Sequence, residues 1–471
     1  MMKRTTRKIA ATVLTILCVC SLLLSGCKKK EVTLRVLTDV VRGSKQHVQL
    51  FALIKEFQQN NTGVTILCEQ IPTDADAREA MLQKTRTAVM ANKGPDIFLL
   101  TTAALEDQDP PYQAGEGLLF QDVNQAIRNG LFADISKYYD ADTALGKEAL
   151  VPAVMEAGVY DGGRYVLPLQ FDLPVCYVDR AQFAEAGFSM DDFDGGLPGL
   201  MEAITASGDA KMAGGCQMWR LVREYFFNLY PELLDYDKQK VLVTADELTG
   251  FMTSLQQMRA LKPYSELPYQ FDGYNQYLND DWYWADISPL FAEGLDKAVY
   301  CASVAGKKEV DLAIVPLTAA DGTLTADVTY YGAVDAGCDE PELAYAFLRE
   351  FLSEASQWGD NVESTYDPLL TVPGWPVRTV NAAQHLFNNE LRYCQEKGYK
   401  GLKNIRPYCP DDTAFPNWHE AIDQARFPIP LEKIAGDWIW YDLTAPEAEP
   451  AAMDDYADQL IKELTWHLAE G

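Results

Sequence analysis

Hydrophobic and polar positions alternate along Glu31–Leu37, EVTLRVL, the two-residue period of a strand with one buried face. The period then lengthens. Between Ser44 and Asn60 apolar residues fall at Val48, Leu50, Phe51, Leu53, Ile54 and Phe57, one face of a helix that Ser44 is placed to cap. Gly63 ends that helix, Val64–Ile71 returns to the strand pattern, and Ala75–Met90 reads as a second helix. Asn92-Lys93-Gly94-Pro95-Asp96 leads into a third strand at Ile97–Leu100. Strand and helix alternating in this order predict a parallel sheet flanked by helices.

The stretch Asp161–Arg180, DGGRYVLPLQFDLPVCYVDR, opens with a tight turn whose glycines tolerate positive φ. The apolar run that follows is crossed by Pro168 and Pro174. Proline cannot donate to a sheet ladder, so the expectation is a segment that leaves one sheet, crosses a gap and enters another, rather than a central strand. Short helices are expected at Ala181–Gly187 and Cys216–Tyr230, an amphipathic helix at Asp246–Leu261 and a strand at Val310–Pro316. Asp327–Asp335 reads as a strand with a central glycine, Pro341–Gln357 as a helix, and Ala445–Gly471 as an acidic amphipathic helix. Gln113–Gly117 reads as a surface insertion, and Leu386–Trp440 is rich in proline.

The first residues carry an address. Lys3, Arg4, Arg7 and Lys8 precede an uncharged apolar stretch, Ile9–Leu24, too short for a membrane span but suited to a secretory signal. The stretch ends Leu24-Ser25-Gly26-Cys27, which resembles the lipobox of bacterial lipoproteins. That resemblance implies cleavage before Cys27, a diacylglycerol on its thiol, and display on the outer face of the cytoplasmic membrane; the alternative is an uncleaved N-terminal anchor. Removing residues 1–26 takes four basic residues and no acid, so the formal charge moves from −29 to −33. So acidic a surface argues against nucleic acid and anionic ligands, whose phosphates need Lys and Arg.

Seven of the ten cysteines remain beyond Cys27 (Cys68, Cys176, Cys216, Cys301, Cys338, Cys394 and Cys409), scattered and without Cys-x-x-Cys spacing, so no zinc site is expected. The four histidines, His47, His385, His419 and His467, are far apart, and no Gly-x-Ser-x-Gly, Walker or His-Glu-x-x-His motif occurs. Adjacent acids such as Asp191-Asp192, Asp280-Asp281, Asp411-Asp412 and Asp454-Asp455 point apart, unlike the facing carboxylates of a glycosidase. Neither a catalytic centre nor a cofactor is expected.

Several stretches together resemble the bacterial extracellular solute-binding proteins, the sugar-type receptors of ABC importers. Lys93-Gly94-Pro95-Asp96-Ile97-Phe98 is similar to that family's Gly-x-Pro-Asp signature, and Gly130–Ile135 to the element that follows it. Gly163, Tyr165, Leu167, Pro168, Tyr177 and Asp179 fall where the family has its lobe-to-lobe crossover. Asp327–Asp335 resembles the second crossover and Pro341–Gln357 the helix closing with Gln; Ser189–Leu197 departs from the usual Pro-x-Thr-Trp. The resemblance implies a two-lobed α/β fold of the periplasmic-binding-protein type (type II), with 1–26 a signal peptide and 27–31 a tether. Residues 32–165 and 331–375 would form lobe 1, and 166–330 and 376–471 lobe 2, hinged near Leu167–Leu173 and Asp327–Asp335.

It further implies a monomer that captures a carbohydrate, of oligosaccharide size, and hands it to the permease subunits of an ABC transporter. Ligands of open α/β sheets bind beyond the carboxyl ends of strands, which marks Thr38–Asp39 and Thr101–Thr102, although both threonines also suit a helix cap. Aromatic faces stack on sugar rings and carboxylates take their hydroxyls, so Asp39, Thr101, Asp172, Trp282, Trp284, Tyr331 and Trp375 are the expected contacts. Trp282 and Trp284 lie in Asn279–Ala285, NDDWYWA, on one side of an extended chain; the plainer reading makes them core. Of Tyr330 and Tyr331, one should face the cleft and the other a lobe. The rival readings are the same fold with a peptide, polyamine or metal complex, a secreted glycan-active enzyme, and a surface scaffold. For the address, Cys27→Ala in the full chain should abolish incorporation of labelled fatty acid and leave the protein out of the detergent phase on Triton X-114 partition.

Overall fold

The computed structural model describes residues 31–42, 45–102, 117–179, 195–208, 232–261, 309–358, 375–378, 404–408, 422–428, 442–445 and 447–470, with a few single positions between them. β1 (Val32–Thr38) lies between β2 (Val64–Gln70) and β3 (Ile97–Thr101), both parallel to it. Helices α1 (Lys45–Asn60) and α2 (Ala75–Met90) join them, so the βαβ order read from the spacing forms. Asp74 caps α2, its Oδ1 accepting the Ala77 N–H at 3.0 Å.

The Gly94-Pro95-Asp96 turn works as a structural clamp. Asp96 Oδ2 accepts the Arg35 N–H at 2.7 Å, its own N–H donates to the Arg35 carbonyl at 2.8 Å, and its carbonyl accepts the Asp335 N–H at 3.0 Å. A Cβ on Gly94 would stand 2.6 Å from Asp335 Oδ2, which explains the glycine.

Four more strands complete this sheet: β6 (Val166–Asp172), β11 (Leu324–Val334) and β12 (Trp375–Pro376), each antiparallel to its neighbour, and β14 (Ile422–Arg426), parallel to β11; the order is β12-β6-β11-β3-β1-β2 with β14 also beside β11. A hairpin of β4 (Val159–Tyr160) and β5 (Gly163–Arg164) turns on Asp161 and Gly162, both at positive φ, and delivers the chain into β6 (Val166–Asp172). Pro168 stands inside β6, an interior strand, contrary to expectation. The register of β6 against β11 (Leu324–Val334) shifts on both sides of Tyr330, and β12 (Trp375–Pro376) pairs only with Gln170 and Phe171. Proline is accommodated where the ladder is already irregular. The expected passage between sheets occurs instead at Leu173–Pro174, after which β7 (Val175–Asp179) enters a second sheet, β13-β10-β7. Its other strands are β10 (Glu309–Pro316) and β13 (Asn404–Tyr408). The Leu317 N–H donates to the Pro174 carbonyl at 2.7 Å, tying the outward and returning chains together.

Two apolar cores result. The first gathers Leu34, Val36, Ile97, Phe98, Val166, Phe171, Val328, Ala333, Phe347 and Phe351 around the large sheet. The second gathers Leu200 and Ile204 of α4 (Gly196–Ser207), Leu248, Met252 and Leu255 of α5 (Ala245–Ala260), and Leu460 and Leu464 of α8 (Pro450–Glu470). The molecule is thus a two-lobed α/β structure with strands crossing between the lobes. The helix expected over Pro341–Gln357 is two, α6 (Pro341–Glu350) and α7 (Glu354–Trp358). Ser353 separates them, its hydroxyl accepting the Ser356 N–H at 3.2 Å as a new cap. The break buries Gln357, whose amide donates to the carbonyls of Leu169 (3.2 Å) and Phe351 (2.8 Å) and accepts the Val377 N–H at 2.9 Å.

The expected helices at Ala181–Gly187 and Cys216–Tyr230, the insertion Gln113–Gly117, most of Leu386–Trp440, the run Asn279–Ala285 and the N-terminal segment with Cys27 fall wholly or mostly outside the described residues. Among the described residues no helix is long and apolar enough to cross a membrane, and Cys68 and Cys338 are free thiols. Burial pushes the Cys68 thiol up to about 12 and the Cys338 thiol to about 11, so neither is a reactive thiolate. The carbonyl of Gly158 accepts both the Tyr165 and Val166 N–H groups, and a Cβ there would run into the Val166 carbonyl. Gly158→Ala should therefore lower stability by roughly 1–3 kcal/mol in urea unfolding, whereas Gly199→Ala, with open space around it, should not.

Candidate functional site

The carboxyl ends of β1 and β3 lie side by side, and the chain that leaves them presents Asp39 and Thr101 to each other. Asp39 Oδ2 accepts the Thr101 N–H at 2.9 Å and the Thr101 hydroxyl at 2.6 Å. Its other oxygen, Oδ1, is buried with no hydrogen-bond partner among the described residues, and the side chain is only 4% exposed. Burial raises the Asp39 carboxyl above its ordinary value; the Thr101 hydrogen bonds and the Arg78 charge only partly offset this.

Thr102 is used differently. Its N–H donates to the Thr329 carbonyl at 3.1 Å and its hydroxyl to the Val328 carbonyl at 2.8 Å, fastening β3 to β11 at the place where β11 passes the strand ends. One residue earlier on β11 stands Asp327, opposite Asp172 of β6 on one side and Arg426 of β14 (Ile422–Arg426) on the other. The Arg426 guanidinium approaches Asp327 Oδ1 to 3.1 Å. Asp172 is half-buried, and its Oδ1 accepts the N–H of Leu173 at 2.9 Å. Next to Asp172, Phe171 pairs with the backbone of Trp375.

Asp39, Thr101, Asp172 and the Trp375 backbone thus share the strand-end side of the large sheet, where β6 runs out toward the second sheet and β11 comes in from it. Tyr330 and Tyr331 belong to the same stretch but are both buried, at 2% and 1% exposure. Tyr331 packs edge-on against Phe427, ring centroids 5.5 Å apart. Burial, then the Asp39 charge, raise both hydroxyls above their ordinary values. Trp282 and Trp284 lie outside the described residues.

Asp327 and Arg426 were not among the expected contacts. Asp327 begins the predicted crossover, but nothing in Ile422–Arg426, IDQAR, marks a strand aligned beside it. Among the described residues no group of three or more His, Cys, Asp or Glu is arranged to hold a metal ion. Among the described residues the edge carries the carboxylates of Asp39, Asp172 and Asp327, the Arg426 guanidinium paired with Asp327, and threonine hydroxyls that donate to Asp39 and to the Val328 carbonyl.

A family model described as bacterial extracellular solute-binding protein matches residues 48–358. No curated protein matches the chain. Among solved structures it is similar to an extracellular solute-binding protein family 1 member from Alicyclobacillus acidocaldarius, with 16% identity, a TM-score of 0.53, and 94% of this chain and 99% of that one covered. It is likewise similar to an ABC substrate-binding protein from Listeria monocytogenes in complex with cycloalternan (14% identity, TM-score 0.52, 92% and 98% covered). A periplasmic oligogalacturonide binding protein from Yersinia enterocolitica gives 15% identity, a TM-score of 0.52, and 93% and 99% coverage. At these identities the likeness is one of fold.

Because the folded-state value of Asp39 is raised, the carboxyl favours folding while protonated and loses that contribution as pH rises through its folded value. Asp39→Asn should raise stability at pH 7 by roughly 1–3 kcal/mol. The gain should vanish as pH falls below the ordinary carboxylate range, read as melting temperature against pH.

Proposed function

Because the chain belongs to the family of bacterial extracellular solute-binding proteins, we propose that it captures a carbohydrate of oligosaccharide size between its lobes and delivers it to an ABC permease. The observation that carries this reading is Asp39, a buried carboxyl with one oxygen left without a partner among the described residues, at the strand-end edge where α/β sheets bind ligands. A solute hydroxyl supplies the missing donor. That two structurally similar proteins are named for cycloalternan and oligogalacturonide supports the same ligand class.

In this reading Asp39 and Asp172 accept hydroxyl hydrogens, Thr101 orients Asp39, and Trp282, Trp284 and Trp375 stack on sugar faces. Tyr331, held against Phe427, backs the edge from behind. The lobes move about Leu173–Pro174 and the return segment 317–323, and a ligand touching both lobes favours closure by its differential contact. The lipidated Cys27 keeps the monomer at the outer membrane face beside its permease. A cationic solute is the second reading, favoured by the carboxyl groups of Asp39 and Asp172 on the same edge.

A thermal-shift screen of the protein from Lys28 onward, against mono- and oligosaccharides, peptides and polyamines, tests both. A ligand at about 100 times its Kd adds about 2.7 kcal/mol of stability. A sugar response lost in Trp282→Ala, Trp284→Ala or Trp375→Ala, with no turnover on long incubation, is the expected result. A response to amines or peptides alone would overturn the carbohydrate assignment.

A further inference from the structure

Besides the chain segments that pass between the two sheets, a compact polar cluster joins the bodies. Asp122 caps α3 (Val123–Arg128), its Oδ1 accepting the Gln125 N–H at 3.0 Å. Its Oδ2 accepts the Tyr236 hydroxyl and lies 3.4 Å from His467 Nε2, which is itself 3.1 Å from the Tyr236 oxygen. Beside this triad, Arg128 Nη1 meets Asp237 Oδ1 at 2.7 Å. The Arg128 guanidinium lies over the rings of Tyr160 (4.7 Å) and Tyr236 (4.9 Å).

The partners come from different cores. Val123, Ala126 and Ile127 of α3 are in the first, and Tyr160 packs against it. Tyr236 packs against the second, and His467 projects from α8 between Leu464 and Leu468, both of the second core. We propose that Asp122, Arg128 and Tyr160 on one lobe, with Tyr236, Asp237 and His467 on the other, form a separable latch that holds the lobes in the arrangement seen.

The chemistry suits a contact that opens and recloses. Water replaces hydrogen bonds and ion pairs, whereas parting an apolar seam exposes hydrocarbon; polar interdomain contacts go with relative motion. Within the cluster the roles differ. The Asp122 side chain is fully withdrawn from solvent, so its bond to Tyr236 is the strong element. Asp237 is 71% exposed, so its pair with Arg128 trims the balance only slightly. Asp122 still caps α3 through Oδ1 when the latch is open, so opening leaves the helix intact. Any solute that prefers one lobe arrangement is then bound with an affinity set in part by these six side chains.

The inference needs no solute to be tested. Nitroxide side chains introduced as non-natural residues at the exposed positions Lys84 and Asp458, one on each lobe, report the interlobe distance by pulsed electron resonance. Tyr236→Phe removes only the hydroxyl, and His467→Gln breaks the triad from the other helix. Each should add a second distance population of at least a tenth of the molecules, with Arg128→Ala giving a smaller change. Distance distributions identical to wild type in both Tyr236→Phe and His467→Gln would overturn the latch. If one variant fails to fold, the other decides alone.

Discussion

A strand that leaves a sheet must find new partners for every peptide group it carries away, and β11 does so in the space of four residues. From Tyr330 to Val334 it pairs with β3; from Leu324 to Asp327 it pairs with β14, in the direction β3 no longer covers. β6 accompanies it along the opposite side from Asp327 to Ala333. Unpaired buried peptide groups are costly, so this exchange of partners lets a single strand bridge the end of the parallel trio without fraying. Thr102 marks the handover, bonding the Val328 and Thr329 carbonyls between the two halves. The crossing strands thus stay laddered up to Asp172 and Leu324.

The same handover gathers polar side chains where the core is otherwise apolar. Aspartates elsewhere in the lobe serve architecture: Asp96 binds two strands through three backbone contacts, and Asp74 caps a helix. Asp39 and Asp335 each bury one carboxylate oxygen that has no partner among the described residues, and burial disfavours the charge of both.

Local order in the chain decided a good deal. The alternation in Glu31–Leu37, the helical spacing in Ser44–Asn60 and Ala75–Met90, and the strand at Val310–Pro316 each form within a residue or two of the expected bounds, because a buried face imposes its period on neighbouring residues. Motif order along the chain also carried the family, and strand-end placement pointed to Asp39 and Thr101 before any contact was known. What failed locally did so for a nonlocal reason. Pro168 lies inside a sheet because the opposing ladder slips at Tyr330, and the helix before Gln357 breaks where that amide binds the Leu169 carbonyl, 188 residues away.

Period and motif thus determined which segments are strands and helices and that they build a two-lobed α/β molecule. Tertiary structure alone decided that Asp327 and Arg426 face each other beside Asp172, that Tyr331 turns inward to Phe427, and that Asp122 meets Tyr236 and His467. The reason is separation along the chain. A period is written in adjacent residues, whereas a pair that is 99 or 345 residues apart is set by which strands share a ladder and which helices share a core, and no local pattern records that.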